Sequence, residues 1–285
     1  MSVIVTGATG SLGRFVVEGL LEKVPADQIT AVVRNEEKAA DFAARGVTIA
    51  IADYNIPSTF DGLFSAGDKV LLISSSEVDK DRVSQHKVVI DAAKAAGVAL
   101  IAYTSAPGSL TAALADDHRG TEAAILESGL PYVLLRNGWY HENYTEQLAP
   151  VLQYNAFTQA AGEGRVASAA RADYAAAAVA VLTGEGHENT TYELSGDTAW
   201  SFAEYAAELS RQTGKEIGYN AVSVEDFTSM LTGHAGLPEA LAAILGGVEV
   251  SIAKGELAGT SGDLSRLIGR PTTPIADSIA AALKD

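Results

Sequence analysis

The residues with the clearest chemical pattern are three glycines near the start of the chain, Gly7, Gly10 and Gly13. They follow a short apolar run typical of a strand and precede a segment with helical spacing. Glycine at these positions permits a sharp turn, a close backbone approach to phosphates and tight helix–strand packing. The first N–H groups of the helix then favour an anion. The alternative is a merely tight strand–helix turn.

In this strand–loop–helix context the glycine spacing predicts a pyrophosphate site for a dinucleotide. The predicted contacts are Gly7, Ala8, Thr9, Gly10, Ser11, Leu12 and Gly13.

Arg34 stands at the end of the second predicted strand. NAD-binding domains commonly carry an acidic residue near this point, which accepts a hydrogen bond from the ribose 2′-hydroxyl. An arginine suits a 2′-phosphate instead, so we predict NADPH as the cofactor, with NADH weaker. The alternative is a surface arginine paired with Glu36 or Glu37.

Two further strand ends carry polar side chains. Asp53 follows the third predicted strand, and Ser74, Ser75 and Ser76 follow the fourth. Ligands of open α/β sheets bind at the carboxyl ends of the strands, so we expect these residues near the adenosine part of the cofactor. For the serines, a turn with internally satisfied hydroxyls is an equal alternative.

The elements that position these residues follow an alternating pattern. Short, almost wholly apolar runs alternate with helical segments through residues 1–136. Such runs are typical of strands buried on both faces of a parallel sheet. The fold class is therefore α/β, a Rossmann-type doubly wound parallel sheet. For residues 137–285 we predict a smaller, mostly helical C-terminal lobe that binds the substrate, with segments at about 165–200 returning to the sheet.

Composition excludes several classes of site and partner. The 285 residues include no cysteine, and the histidines lack metal-ligand spacing, so we expect no metal. A net charge of −16 disfavours nucleic acid and anionic lipid. No apolar run approaches the ~18–20 residues of a membrane span, and no targeting segment is expected, so we expect a cytoplasmic protein. The sequence does not report the oligomeric state. A homodimer is the expectation because it is the most frequent oligomer of soluble proteins.

Several segments together resemble the atypical short-chain dehydrogenase/reductases, in particular the NmrA-like branch and, within it, the bacterial type 2 NAD(P)H:quinone oxidoreductases. The resemblance covers nearly the whole chain. The segment after residue 135 is far more specific than the glycine loop. The segments that carry it are 5–13 (VTGATGSLG), 73–78 (ISSSEV), 102–105 (AYTS), 135–144 (LRNGWYHENY), 171–174 (RADY) and 267–269 (LIG).

The resemblance implies NADPH-dependent two-electron reduction of quinones without a flavin. The substrate would be a quinone or another flat aromatic acceptor. Besides the loop, Arg34 and the serines, it implies cofactor contacts from Gly138, Trp139, Tyr140, His141, Asn143 and Arg171.

The proton donor is harder to assign, because the superfamily's Tyr-x-x-x-Lys pattern is absent. The corresponding helix carries His118 and Glu122, whose spacing places them on one face. We expect Glu122 to raise the pKa of His118 and favour its protonated form. A surface position beside two aspartates is the alternative for His118.

A quinone needs little acid catalysis, since hydride addition yields a stabilised hydroquinone anion. It needs orientation and a few hydrogen-bond donors. The candidates are Tyr140, Asn143 and Tyr144, while Ser105 follows strand five, where the superfamily's catalytic serine stands. Tyr140 and Trp139 are alternatively packing aromatics.

Two other functions use the same features. A triphenylmethane-dye reductase would share the scaffold and the hydride chemistry. A non-catalytic NADP(H) sensor that binds a transcription factor would share the glycine loop and Arg34. The aromatic segment from Trp139 to Tyr144 favours an enzyme, because a sensor needs no substrate pocket.

Overall fold

The computed structural model describes residues 2–284. The described chain forms two compact units by its internal contacts. Unit 1 comprises residues 2–106, 117–137 and 171–192. Unit 2 comprises residues 107–116, 138–170 and 193–284.

Strands and helices alternate through the first half of the described chain. The strands are β1 (Val3–Thr6), β2 (Ile29–Val33), β3 (Thr48–Ile51), β4 (Lys69–Leu72), β5 (Leu100–Ser105), β6 (Tyr132–Asn137), β7 (Ala156–Gln159), β8 (Arg165–Val166), β9 (Thr190–Leu194), β10 (Trp200–Ser201) and β11 (Gly218–Ala221). The helices are α1 (Ser11–Leu21), α2 (Ala40–Ala44), α3 (Arg82–Ala96), α4 (Leu114–Ser128), α5 (Glu142–Thr145), α6 (Leu148–Tyr154), α7 (Arg171–Thr183), α8 (Phe202–Thr213), α9 (Val224–Gly233), α10 (Glu239–Ala253), α11 (Asp263–Ile268) and α12 (Ile275–Ala282).

The central sheet has seven strands in the order β3-β2-β1-β4-β5-β6-β9. From β3 through β6 every neighbouring pair is parallel. The order reverses at β1, because β2 lies on one side of it and β4 on the other, as in a doubly wound sheet. The predicted fold class is confirmed, and β9 is the last strand of the sheet on the side of β6.

The sheet is buried on both faces. Alternate residues of a strand point to opposite faces. Ile4, Val70 and Leu72 pack into a cluster with Val89 and Ile90 of α3. Val5 and Leu71 lie outside that cluster and are equally buried, and α1 and α7 contact the sheet and each other.

One strand departs from the predicted pattern. Thr48 and Ile51 of β3 are exposed, although the prediction assumed strands buried on both faces. β3 is the outermost strand of the sheet and has only β2 beside it. An edge strand receives less cover, which explains the difference.

Unit 2 contains two small sheets, one pairing β7 with β11 in parallel and one pairing β8 with β10 antiparallel. Tyr144, Phe157, Trp200, Phe202 and Tyr205 form an aromatic cluster beside them. No helix among residues 2–284 combines the length and apolar character that crossing a membrane requires.

Candidate functional site

The glycine loop joins β1 to α1. Gly7 has a φ of +62°, a left-handed conformation that favours glycine, and the Gly10 N–H donates to the Gly7 carbonyl at 2.9 Å. A Cβ on Gly13 would lie 2.3 Å from the Gly7 carbonyl oxygen and 2.8 Å from the Cα of Ala8. Only a glycine lets the helix approach the loop this closely.

The start of α1 is suited to a diphosphate. Gly10 is the N-cap and provides no side-chain cap, and the first turn contains no acidic residue. The N–H groups of the first turn therefore point out of the helix without a carboxylate in competition. A helix N-terminus of this kind binds phosphate groups through its backbone. The predicted loop fits a dinucleotide.

Arg34 forms an ion pair with a residue that is distant in sequence. Its Nη1 lies 2.6 Å from Oε1 of Glu77, so the alternative that it pairs with Glu36 or Glu37 is wrong. Glu77 also accepts hydrogen bonds from Asn55 and Gln85. These two bonds, and then Arg34, lower the pKa of Glu77.

Hydrogen bonds between the backbone of the serine segment after β4 and nearby side chains hold this segment in place. The Ser75 N–H donates to Nε2 of His86 at 2.8 Å, and the Ser75 carbonyl accepts from Nε of Arg82 at 2.9 Å. Ser74 N–H donates to Oγ1 of Thr104 at 2.9 Å. His86 and Arg82 are both buried. Sequence reasoning missed Arg82, although an arginine within the first turn of a helix after a strand end is a weak signal for such a contact.

The hydroxyls of this segment are partly engaged. Ser75 Oγ accepts the Glu77 N–H at 3.2 Å, which is a local serine turn, whereas Ser76 is exposed. Asp53 similarly accepts the Asn55 N–H at 2.8 Å. The structure places Asp53, the serines and Arg34 in unit 1, with Glu77 connecting Arg34 to the serine segment.

His118 is buried in unit 1, with 8% of its surface exposed. Its Nδ1 lies 2.9 Å from the Tyr103 hydroxyl and its Nε2 lies 3.4 Å from Nη2 of Arg82. Burial, and then Arg82 and His86, lower the pKa of His118 to about 3. The imidazole is neutral at physiological pH. Because Arg82 can only donate, Nε2 accepts and Nδ1 carries the proton towards Tyr103.

Glu122 does not act on His118 as expected. Its Oε1 accepts from Ser105 Oγ at 2.6 Å and from Arg136 Nε at 2.9 Å, and its Oε2 accepts from Arg136 Nη2 at 2.7 Å. The expectation that Glu122 raises the pKa of His118 is wrong, because a bidentate arginine and a serine hydroxyl hold the carboxylate. Ser105 therefore uses its proton on Glu122.

The segment after β6 belongs to unit 2 from Gly138 onward. The Gly138 N–H donates to the Leu194 carbonyl at 2.7 Å, and Tyr140 forms a parallel bridge with Ala169. His141 is 1% exposed; Nε2 lies 3.0 Å from the Ser168 carbonyl and Nδ1 lies 2.8 Å from Ser278 Oγ. These bonds fix the backbone path of the segment.

Three residues of this segment were candidates for hydrogen bonding to an acceptor. Tyr140 and Asn143 are partly exposed, and the Asn143 side-chain amide has no hydrogen-bond partner among residues 2–284. Tyr144 is 4% exposed and lies in the aromatic cluster. Burial, and then Glu249, raise the pKa of Tyr144. Tyr140 and Asn143 are thus better placed than Tyr144 to meet a ligand.

A cavity of about 390 Å³ lies within unit 2. Its volume is in the range of small-molecule sites, and its walls combine hydroxyl groups with apolar side chains. Gly138 is the part of the predicted segment that lines it. The lining residues are Pro107, Ser109, Gly138, Ala167, Glu193, Leu194, Ser195, Glu256, Leu257, Gly259, Thr260 and Ser261.

Residues 7–185 match a family model described as NAD(P)H-binding. The match begins at Gly7, includes Arg34 and Arg171, and covers more than half of the chain. The chain belongs to the NAD(P)H-binding family. The loop geometry and this family assignment agree on the class of cofactor.

Two proteins with similar sequences are named as oxidoreductases. Quinone oxidoreductase 2 of Escherichia coli is 48% identical over 98% of this chain and 97% of its own. An NmrA-like family domain-containing oxidoreductase of Aspergillus flavus is 27% identical over 99% of this chain and 95% of its own. The resemblance inferred from the motifs is thereby confirmed.

Two solved structures match this chain over nearly its full length. The Escherichia coli NADPH-dependent quinone oxidoreductase in complex with NADPH matches with a TM-score of 0.94, 48% identity and 99% coverage of both chains. A Citrobacter sp. triphenylmethane reductase in complex with NADP(H) matches with a TM-score of 0.93, 41% identity, and coverage of 99% of this chain and 100% of its own.

Proposed function

We propose that this protein is an NADPH-dependent oxidoreductase that reduces quinones by direct hydride transfer, without a flavin. The observation that carries the proposal is the 48% identity to quinone oxidoreductase 2 over nearly the full length of both chains. That similarity extends through both units, so it includes the specific segment after β6 as well as the widely shared glycine loop.

The residues that would hold the cofactor are supplied mainly by unit 1. The N–H groups at the start of α1 bind the diphosphate, and Gly7 and Gly13 allow the close approach. Arg34 is exposed and carries a guanidinium for the 2′-phosphate. Asp53, the serines, Arg171 and residues 138–143 remain proposed contacts, on the strength of strand-end position and resemblance.

Reduction of a quinone to a hydroquinone takes one hydride and one proton. NADPH supplies the hydride. This chain supplies donors to the quinone oxygen that gains charge, for which the Tyr140 hydroxyl and the Asn143 amide are the candidates. The ring of a quinone also stacks on an aromatic side chain, which suits Trp139 or Tyr140.

The other two predicted catalytic residues fit indirect roles better. His118 is neutral and both of its ring nitrogens have partners, so it has no proton to donate without breaking its contact with Tyr103. Ser105 donates to Glu122, so it can only accept from a ligand. The proton for the hydroquinone then comes from Tyr140 or from water, which suffices because the hydroquinone anion is stabilised.

The test is steady-state turnover with the purified protein. We expect NADPH oxidation with benzoquinone and with menadione, faster than with NADH, and no flavin absorbance. Tight NADPH binding without turnover of any acceptor would favour a cofactor sensor and refute the reductase. Flavin absorbance in the purified protein would refute direct transfer from the nicotinamide.

A second candidate is the reduction of triphenylmethane dyes. It is supported by the structural match to triphenylmethane reductase, which spans both units at 41% identity. A triphenylmethane dye belongs in the same acceptor panel. A kcat/KM for the dye above the values for both quinones would identify the protein as a dye reductase.

A further inference from the structure

The ion pair of Arg34 and Glu77 joins two strand ends in unit 1. Arg34 follows β2 and Glu77 lies beyond β4, and these are the two strands that flank β1. The Arg34 side chain is 63% exposed and that of Glu77 is 27% exposed. The arginine proposed to receive the 2′-phosphate is therefore already paired with a carboxylate of this chain.

The carboxylate is the fixed member of the pair. Glu77 Oε2 accepts from Nε2 of Gln85 at 2.8 Å and from Nδ2 of Asn55 at 3.1 Å. Gln85 is 5% exposed, so it has little freedom to move. These two donors leave Oε1 directed at Arg34 Nη1. They also stabilise the ionised carboxylate and lower its pKa.

The position of this carboxylate has opposite effects on the two nicotinamide cofactors. A 2′-phosphate that binds Arg34 must share the guanidinium with Glu77. The negative charge of the Glu77 carboxylate also repels the phosphate. A ribose 2′-hydroxyl is a hydrogen-bond donor, and a carboxylate at a strand end is the group that NAD-binding domains use to accept from it. Here that carboxylate comes from the segment after β4.

We propose that Glu77 sets the cofactor preference by competing with the 2′-phosphate of NADPH for Arg34 and by accepting a hydrogen bond from the 2′-hydroxyl of NADH. This inference rests on the proposed use of a nicotinamide cofactor. Glu77 thereby moderates the preference for NADPH and keeps NADH usable.

Glu77→Gln tests the proposal, because glutamine keeps the shape and can still accept from Gln85 and Asn55. We expect the Kd for NADPH to fall about threefold to tenfold, as removal of one charge near a phosphate predicts at high effective dielectric. The Kd for NADH should rise, so the ratio of the two should change by about tenfold or more. The gain for NADPH should shrink at high salt.

The matched control is Glu18→Gln, which removes another exposed carboxylate of unit 1, one that pairs with Arg45 at 2.6 Å. It should leave both dissociation constants unchanged. Nicotinamide fluorescence titrations with NADPH and NADH measure binding without turnover, and thermal unfolding checks that each variant is folded.

The direction of the change separates the possible results. If Glu77→Gln weakens NADPH binding, Glu77 only orients Arg34 and the proposal is wrong. An unchanged ratio of the two constants, or a change equal to that of Glu18→Gln, also overturns it. If the unsubstituted protein binds neither dinucleotide, the proposed function itself fails and this inference fails with it.

Discussion

Gly13→Ala isolates the close approach of α1 to the glycine loop. In an ordinary helix position alanine is more stable than glycine by about 1 kcal/mol. At Gly13 the new Cβ would lie 2.3 Å from the Gly7 carbonyl oxygen, and 2.8 and 2.9 Å from the Cα and carbonyl carbon of Ala8. These neighbours are backbone atoms, which cannot rotate away as a side chain would. Overpacking of this kind costs about 1–3 kcal/mol. The better helix preference of alanine offsets about 1 kcal/mol of that cost, so we expect a net destabilisation of about 1 kcal/mol.

The same displacement should disturb cofactor binding. Moving the loop misaligns N–H groups at the start of α1, and each lost hydrogen bond to a charged group costs about 1.5–3 kcal/mol. We therefore expect NADPH to bind at least about tenfold more weakly. Urea unfolding gives the stability, and fluorescence titration gives the affinity.

Gly247→Ala is the matched control for this prediction. Gly247 also lies in a helix, α10, and a Cβ there would meet the Ala112 Cβ at an ordinary 3.9 Å. We expect it to stabilise the protein by up to about 1 kcal/mol and to leave NADPH affinity unchanged. If Gly13→Ala is as stable as the unsubstituted protein and binds NADPH equally well, the steric account of the loop is refuted.

Three further substitutions test separate parts of the molecule. Arg34→Gln should weaken NADPH by about tenfold or more with little change for NADH, while Arg45→Gln should alter neither; equal losses for both cofactors would rule out a contact with the 2′-phosphate. Tyr140→Phe should lower kcat for a quinone by about tenfold to a hundredfold, and an unaltered kcat would remove Tyr140 from the candidates. Burial raises the pKa of Glu249 from 4.5 to about 7, so its stabilising contribution is complete below about pH 4.5 and is lost as the pH rises to about 7. Glu249→Gln should therefore abolish about 3 kcal/mol of the fall in unfolding free energy between about pH 5 and pH 8, and an unchanged pH slope would contradict the raised pKa.

Several elements were predictable because their signals are local. In α3, Asp81 caps the first turn and Gly97 ends the helix at a φ of +67°. At the start of α8, Ser201 and Glu204 cap the helix reciprocally. Such signals act within a few residues, so the sequence contains all of the information needed to find them.

The partners of charged side chains were not predictable in the same way. Glu36 and Glu37 were the expected alternative partners of Arg34, yet its partner, Glu77, lies 43 residues further along the chain. The spacing of His118 and Glu122 correctly placed them on one helix. The spacing did not predict their partners. His118 contacts Arg82, and Glu122 contacts Arg136.

The sequence by itself determined the glycine loop, the alternation of strands and helices and the class of cofactor. Each of these depends on backbone conformation or on short-range periodicity, and both are encoded by neighbouring residues. Only the tertiary structure shows that His118 is buried and neutral, that Glu122 accepts a hydrogen bond from Ser105, and that Glu77 forms an ion pair with Arg34. The physical reason is that burial and ion pairing depend on which side chains the fold brings together, and those side chains are distant in sequence.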